Sequence, residues 1–287
     1  MDRAAHIDLE PAESGFSAFE MVPGALDARA LIVCDHAANA IPPGYGTLGL
    51  PREALERHIA YDIGAAAVTR ALAAELGAPA VLSTFSRLII DPNRGLGDPT
   101  LVMRFSDGAI VPGNADADAR EIARRSARFW APYRHEIAAT VDAMLATGEP
   151  PAIVSIHSFT GVMRGLARPW KVGILWDRDG RLPKPLIDAL VAEPDLIPAE
   201  VGDNEPYDGA LPGDTIDATA TSRGLANALI ELRQDLIADE NDALAWAARL
   251  ARLLRPILAD GESRAPAEFG TRARGAAHGR GKPWLAT

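Results

Sequence analysis

Along the chain, short runs of consecutive apolar and β-branched residues alternate with longer stretches in which apolar residues recur every three or four positions. The first pattern suits strands buried on both faces of a parallel sheet. The second suits helices that lay one face against it. Ala30–Cys34 is the first clear strand, and residues 81–82, 88–90, 152–156, 172–176 and 228–232 read the same way. A helix is predicted over 62–76, with Gly77 and Pro79 as stop signals. Another is predicted over 116–145, where Ile122, Phe129, Tyr133, Ile137, Val141 and Met144 share a face and Pro132 kinks the run or starts it anew. Further helices are expected over 185–191 and over 239–258, the latter with Leu244, Ala247, Leu250 and Leu254 on one face. This alternation predicts an α/β fold, a largely parallel sheet with helices on both faces.

No linker rich in Pro and Ser divides the 287 residues, and no internal repeat is evident, so residues 1–260 are read as one domain. Beyond Asp260 the composition turns to Gly, Arg, Ala and Pro, and 261–287 reads as a flexible tail. The formal charge of −10 argues against nucleic acid or an anionic membrane surface as partner. Cys34 is the single cysteine, which rules out an intrachain disulfide and a cysteine-based zinc cage and fits a reducing, cytoplasmic setting. The first residues lack the charged-then-apolar order of a secretory signal, and no run reaches the roughly 18 apolar residues of a membrane span. The expectation is an unexported protein without a membrane partner.

In wound α/β sheets ligands gather at the carboxyl ends of strands. Here those ends run into Asp35-His36, into Asp91-Pro92-Asn93-Arg94 and into His157-Ser158, while another strand carries Glu231 followed by Arg233. Two histidines with acids nearby suit a divalent metal, zinc most naturally. Taken singly, each has a plainer reading. A histidine at a strand end is commonly a hydrogen-bonded structural residue, and Glu231 can be satisfied by Arg233. Their convergence on one edge is what favours a site. His6 and His278 lie in the termini, and His58 and His135 fall on predicted helices as surface or packing residues. No G-x-S-x-G elbow frames Ser155 or Ser158, and the glycine-rich nucleotide motifs are missing.

Six strings, CDHAANAIP from Cys34, YDIGA from Tyr61, RLIIDPNR from Arg87, SIHSF from Ser155, DNEPYDG from Asp203 and IELRQDLI from Ile230, together resemble the N-formylglutamate amidohydrolase family. The resemblance runs from about Ala30 to Leu258. It implies kinship with zinc carboxypeptidases and aspartoacylases, and so a single three-layer α/β/α domain around a mixed, mostly parallel sheet. Carried over residue by residue, it makes His36 and His157 zinc ligands, with one Zn2+ per chain. The wider group has a liganding Glu three places after its first His, but here that place is Asn39. Asp62 is the substitute candidate, with an N-cap role for the following helix as its rival. Asp35 is read as the partner that orients His36.

The resemblance further matches Asn93 and Arg94 to a pair that grips a substrate carboxylate, with Asp91 positioning Arg94 and its turn. Arg87 matches the residue that polarises the scissile carbonyl, its rival role being a surface salt bridge. Glu231 matches the acid–base glutamate, and Tyr207 is a loop residue able to close over substrate, or else ordinary turn composition. The implied reaction is hydrolysis of a small N-acyl amino acid, N-formyl-L-glutamate giving formate and L-glutamate. Alternatives are a zinc hydrolase of another N-acyl amino acid or of a peptide carboxyl terminus, and a non-catalytic binding protein, suggested by Asn39.

Overall fold

In a computed structural model, which describes residues 15–273, seven strands form the central sheet. They are β1 (Phe19–Val22), β2 (Ala30–Cys34), β3 (Ala80–Ser83), β4 (Ala152–Phe159), β5 (Val172–Leu175), β6 (Val201–Asp203) and β7 (Asn227–Arg233). Their order across the sheet is β1-β3-β2-β4-β7-β5-β6. Only β1/β3 and β7/β5 pair antiparallel. The sheet is mixed and mostly parallel. Besides two single-turn helices, Arg52–Leu55 and Gly261–Arg264, the α-helices of the described residues are α1 (Ala65–Leu76), α2 (Ala119–Arg125), α3 (Ala131–Leu145), α4 (Pro183–Val191), α5 (Thr215–Thr219) and α6 (Glu240–Ala259).

Two cores flank the sheet, because successive strand residues point to opposite faces. On one face Ile32, Val154, Ile156 and Ile230 meet Val68 and Leu72 of α1, Leu186 of α4, and Leu250 and Leu254 of α6. On the other, Leu31, Val33, Ile153 and Leu229 meet Phe129 and then Tyr133, Ile137, Val141 and Met144 of α3. Helices therefore cover both faces, as the α/β pattern requires. Among the described residues no helix is long and apolar enough to cross a membrane.

Several boundaries depart from expectation. The predicted helix 116–145 is α2, a π-helical segment Ser126–Trp130, and α3. Pro132 sits in the first turn of α3, where its missing N–H costs least. The predicted strand 88–90 is a turn closed by the Ile89 N–H to Ser86 O bond at 2.9 Å. Its carbonyls are satisfied by side chains instead of a ladder: Asn114 Nδ2 donates to Leu88 O at 2.8 Å and Arg125 Nη1 to Ile89 O at 2.8 Å. Leu244 is 49% exposed, because Ala243, Trp246 and Ala247 take the buried side of α6. His58 lies in a turn and not in a helix. Strands β1 and β6 had no signal above the surrounding turn residues.

The reading of a flexible tail does not hold for its first part. Arg264 is buried and donates to Leu258 O at 2.8 Å and Pro150 O at 2.9 Å, the Ala267 N–H donates to Gly224 O at 2.9 Å, and Arg272 pairs with Asp177 and Asp208. Polar side chains, invisible to hydrophobic patterning, dock it. Residues 274–287 lie outside the described residues.

Candidate active site

The side of the sheet that faces α3 changes character toward the strand ends. Leu31 and Val33 are followed by Asp35, Ile153 and Ser155 by His157, and Leu229 by Glu231, each set two residues apart on one strand and so on one face. Parallel register sets Glu231 beside His157. The opposite face stays apolar through Cys34, Ile156 and Leu232, and Cys34 is buried there with its thiol pushed up chiefly by burial. Chemistry thus gathers at one edge of one layer.

His36 and His157 stand with ring centroids 4.9 Å apart, and both turn Nδ1 toward Asp62 Oδ2, at 3.3 Å and 2.9 Å. Their outer nitrogens are held by other carboxylates. His36 Nε2 lies 2.7 Å from Asp91 Oδ1, and His157 Nε2 lies 3.1 Å from Asp35 Oδ2. With Nε2 protonated toward its carboxylate, each ring is oriented so that Nδ1 is the nitrogen left to offer a lone pair to a metal ion. Asp35 therefore serves His157 and not His36, which Asp91 serves. Asp35 is itself fixed by Tyr133 Oη at 3.0 Å, Ser155 Oγ at 3.2 Å and the Thr215 hydroxyl.

Asp62 does not cap α1. Its carboxylate accepts the Ser158 N–H at 3.2 Å, its own N–H donates to His36 O at 2.9 Å, and Gly64 takes the N-cap position. Gly64 has φ +81°, and a Cβ there would meet Ile237 O at 2.1 Å, so the YDIG turn needs glycine to bring Asp62 in. Asn39 is turned away, donating to Leu55 O and Glu56 Oε2 at 3.0 and 3.2 Å.

One ligand atom from each of His36, Asp62 and His157 lies within 4.8 Å of the others, and all three residues are buried. This donor set, two oriented imidazoles and a carboxylate, can hold a metal ion and leaves positions open. Burial alone would raise the Asp62 and Asp91 pKa values. For Asp62 the two histidines, and for Asp91 chiefly Arg87 and then His36, outweigh burial and hold the carboxyls well below the usual range. The same competition brings Asp35 down to about 2, through His157 above all. His157, which burial would lower, is lifted well above its ordinary value by Asp35 and Asp62. Such a concentration of buried anionic oxygens suits a cation.

Glu231 is 6% exposed, and its Oε2 has no hydrogen-bond partner among the described residues. Burial pushes its pKa up to about 7; the charges of His157, His36 and Arg87 oppose that and Asp62 adds to it. Arg233 does not neutralise it, being paired with Asp235 at 2.8 Å. Among the described residues Arg87 forms no surface salt bridge; its Nη2 meets Asp91 Oδ2 at 2.7 Å, its Nη1 stands 3.6 Å from Asp62, and its Nε has no partner. Asn93 Oδ1 accepts the Thr215 N–H at 3.0 Å, which leaves its amide donors for a ligand. Arg94 lies further from Asp91, at 4.0 Å, with Nη1 on Asn93 O at 3.1 Å. Tyr207 hangs from the loop after β6. Gly173 makes room for that loop, since a Cβ there would meet Glu205 O at 1.9 Å.

All eight sequence-derived candidates, His36, Asp62, Arg87, Asn93, Arg94, His157, Tyr207 and Glu231, line one cavity of about 340 Å³. His58 lines it too, 3.2 Å from Asp107, contrary to its reading as a packing residue. The anchoring by Tyr133 and Thr215 had no sequence signal, since these contacts span about a hundred residues or more.

A mixed α/β sandwich with a candidate metal cluster and a buried, partnerless glutamate in one cavity has the layout of a hydrolytic enzyme. The profile of N-formylglutamate amidohydrolase matches residues 28–238, and the chain belongs to that amidohydrolase family. Its fold is similar to that of gene product Atu2144 of Agrobacterium tumefaciens, at 34% identity and a TM-score of 0.79, over 85% of this chain and 96% of that one. It is also similar to N-formylglutamate amidohydrolase of Ralstonia eutropha JMP134, at 20% identity and a TM-score of 0.65, over 86% and 99%. No protein of curated function matches the sequence.

Proposed function

We propose that this chain is a zinc-dependent amidohydrolase that removes the acyl group of a small N-acyl amino acid, with N-formyl-L-glutamate, giving formate and L-glutamate, as the leading substrate. The supporting observation is the convergence of His36 Nδ1, His157 Nδ1 and Asp62 Oδ2 beside the partnerless Oε2 of Glu231. His36, His157 and Asp62 would hold a divalent ion, which when bound would supply the Lewis acidity to acidify water toward neutrality and to polarise an acyl carbonyl.

In this reading Glu231 Oε2 takes a proton from the attacking water and returns it to the departing amine nitrogen, a task that its buried, unpartnered oxygen beside the cluster suits. Arg94 and the Asn93 amide grip the α-carboxylate, the guanidinium offering its planar fork. Arg87 steadies the developing oxyanion, and Tyr207 closes over the bound substrate. Asn39, which suggested a non-catalytic protein, loses that weight because the Asp62 carboxylate faces Nδ1 of both histidines. Metal analysis of the purified protein together with formate release from N-formyl-L-glutamate tests the reading. About one zinc per chain and chelator-sensitive release are expected; release that survives complete zinc removal would defeat it. Zinc without release from this substrate would move the reading to another N-acyl amino acid.

A further inference from the structure

Behind the cavity wall lies a cation that the proposed reaction does not use. Arg168 follows a small hairpin in which Val162–Met163 pairs with Leu166–Ala167, and its N–H donates to Gly161 O at 2.8 Å. The residue is 8% exposed. Its guanidinium carbon stands 5.0 Å from the Tyr207 ring centroid and 5.8 Å from that of Phe159, and both rings line the cavity. Nη1 donates to Tyr207 Oη at 3.0 Å and to Thr160 O at 3.4 Å, while Nη2 has no hydrogen-bond partner among the described residues. Arg168 thus ties the end of β4, two residues beyond His157, to the loop that carries Tyr207.

A buried guanidinium held by neutral oxygens and ring faces is costly to keep, so its effect on those neighbours matters. By donating to the phenol oxygen, Arg168 occupies a lone pair there and turns the Tyr207 O–H hydrogen away from itself. Burial first, and then the charges of Glu231 and Asp62, raise the Tyr207 pKa, while Arg168 opposes them. The phenol therefore stays protonated at neutral pH and acts as a donor that a neighbouring cation polarises. Arg87 completes the charged groups that act with it.

We propose that Arg168 is a positioning residue: it clamps Tyr207 between the β4 end and the cavity so that the phenolic O–H is presented to the amide group being cleaved. This rests on the function proposed above. The test uses zinc-loaded full-length protein, N-formyl-L-glutamate and N-formyl-L-norleucine as substrates, and the variants Tyr207→Phe, Arg168→Met, Arg168→Lys and the Tyr207→Phe/Arg168→Met pair. Tyr207→Phe is expected to lower kcat/KM by roughly 10²-fold, as loss of one oriented donor does. Arg168→Met should cost about tenfold alone, equally on both substrates, and less than about twofold when Tyr207 is already Phe. Arg168→Lys, which keeps the charge without the planar stack, should fall between.

A second readout needs no turnover. In protein carrying ring-labelled tyrosine, the signal that disappears in Tyr207→Phe should titrate at higher pH in Arg168→Met than in the unsubstituted chain. Equal losses in both Tyr207 backgrounds, or an unmoved Tyr207 titration, would overturn the clamp. A loss confined to N-formyl-L-glutamate would also overturn it, since Arg168 would then be reading the second carboxylate directly. If zinc-loaded wild-type protein cleaves no N-acyl amino acid, the proposed function fails, and the titration still decides the clamp.

Discussion

The two layers of this protein are built differently although they share one sheet. The layer of α1, α4 and α6 is made of regular helices whose apolar faces run unbroken against Ile32, Val154, Ile156 and Ile230. The layer around α3 is interrupted by a π-helical segment and filled out by loop residues such as Ile59, Phe85 and Leu88–Ile90, and it gives way at its carboxyl edge to Asp35, His157 and Glu231. The first layer obeys hydrophobic patterning with the exposed Leu244 of α6 as its exception. The second departs from it where buried charge is needed; Asp35 is offset by His157 and Asp91 by His36 and Arg87, while Glu231 Oε2 is left without a hydrogen-bond partner among the described residues. Stability and chemistry are thus divided between the two faces of one sheet.

The sharpest way to break that division is to remove the carboxylate both histidines share. Asp62→Ala is expected to drop bound zinc to near zero and activity by more than about 10³-fold, because two imidazoles alone hold the ion weakly. Metal content and turnover check it; full zinc in the variant would remove Asp62 from the ligand set. Glu231→Gln tests the same edge without touching that set. Zinc should remain while kcat falls by roughly 10²- to 10⁴-fold.

In the proposed reaction Glu231 also sets the expected pH dependence. Its pKa is raised to about 7, and the base is the deprotonated form, so kcat/KM should rise as pH climbs through this group and fall tenfold per unit below it. A nearby metal charge lowers that limb toward the ordinary carboxylate value of about 4.3. The limb should vanish in Glu231→Gln. A limb that persists unchanged in the variant would assign it to another group.

On the other face, Leu250→Ala should cost about 2–5 kcal/mol of stability while leaving kcat/KM within about twofold, since Leu250 is fully buried among apolar neighbours away from the cavity. Denaturant unfolding and kinetics together check this. A large loss of turnover in the folded variant would mean the two layers are coupled.

Legibility from sequence follows the same line. Strands β2, β4, β5 and β7 and the closing helix α6 could be read because their apolar runs answer to packing against one sheet. The apolar turn 88–90 misled because burial in a loop gives the same pattern as a strand, and only the distant side chains of Asn114 and Arg125 satisfy its carbonyls. The candidate residues that line the cavity were picked out through linked motifs, several of them at strand ends. What stayed hidden was which acid serves which histidine, since Asp91 is 55 residues from His36 and Asp35 is 122 from His157. Those pairings are fixed by how β2, β4 and the 86–94 loop meet, and one-dimensional spacing carries none of that.

The smallest effect distinguishes the two outer carboxylates. Asp91 serves His36 Nε2 at 2.7 Å and Arg87 at 2.7 Å together, and also receives the Asn93 N–H at 2.9 Å. Asp35 serves His157 Nε2 at 3.1 Å but faces Tyr133, Ser155 and Thr215, groups of the α3 layer and not of the cavity. Asp91→Asn should therefore weaken zinc about 10- to 100-fold and disturb Arg87 as well, lowering kcat beyond what refilling with zinc restores. Asp35→Asn should weaken zinc by a similar or smaller factor, with kcat recovered once the site is saturated. Chelator competition gives the affinities and turnover at saturating zinc gives the remainder. Full recovery in both variants would show that Asp91 does no more for Arg87 than Asp35 does for its hydroxyl partners, and the cavity edge would then be no more tightly wired than the layer behind it.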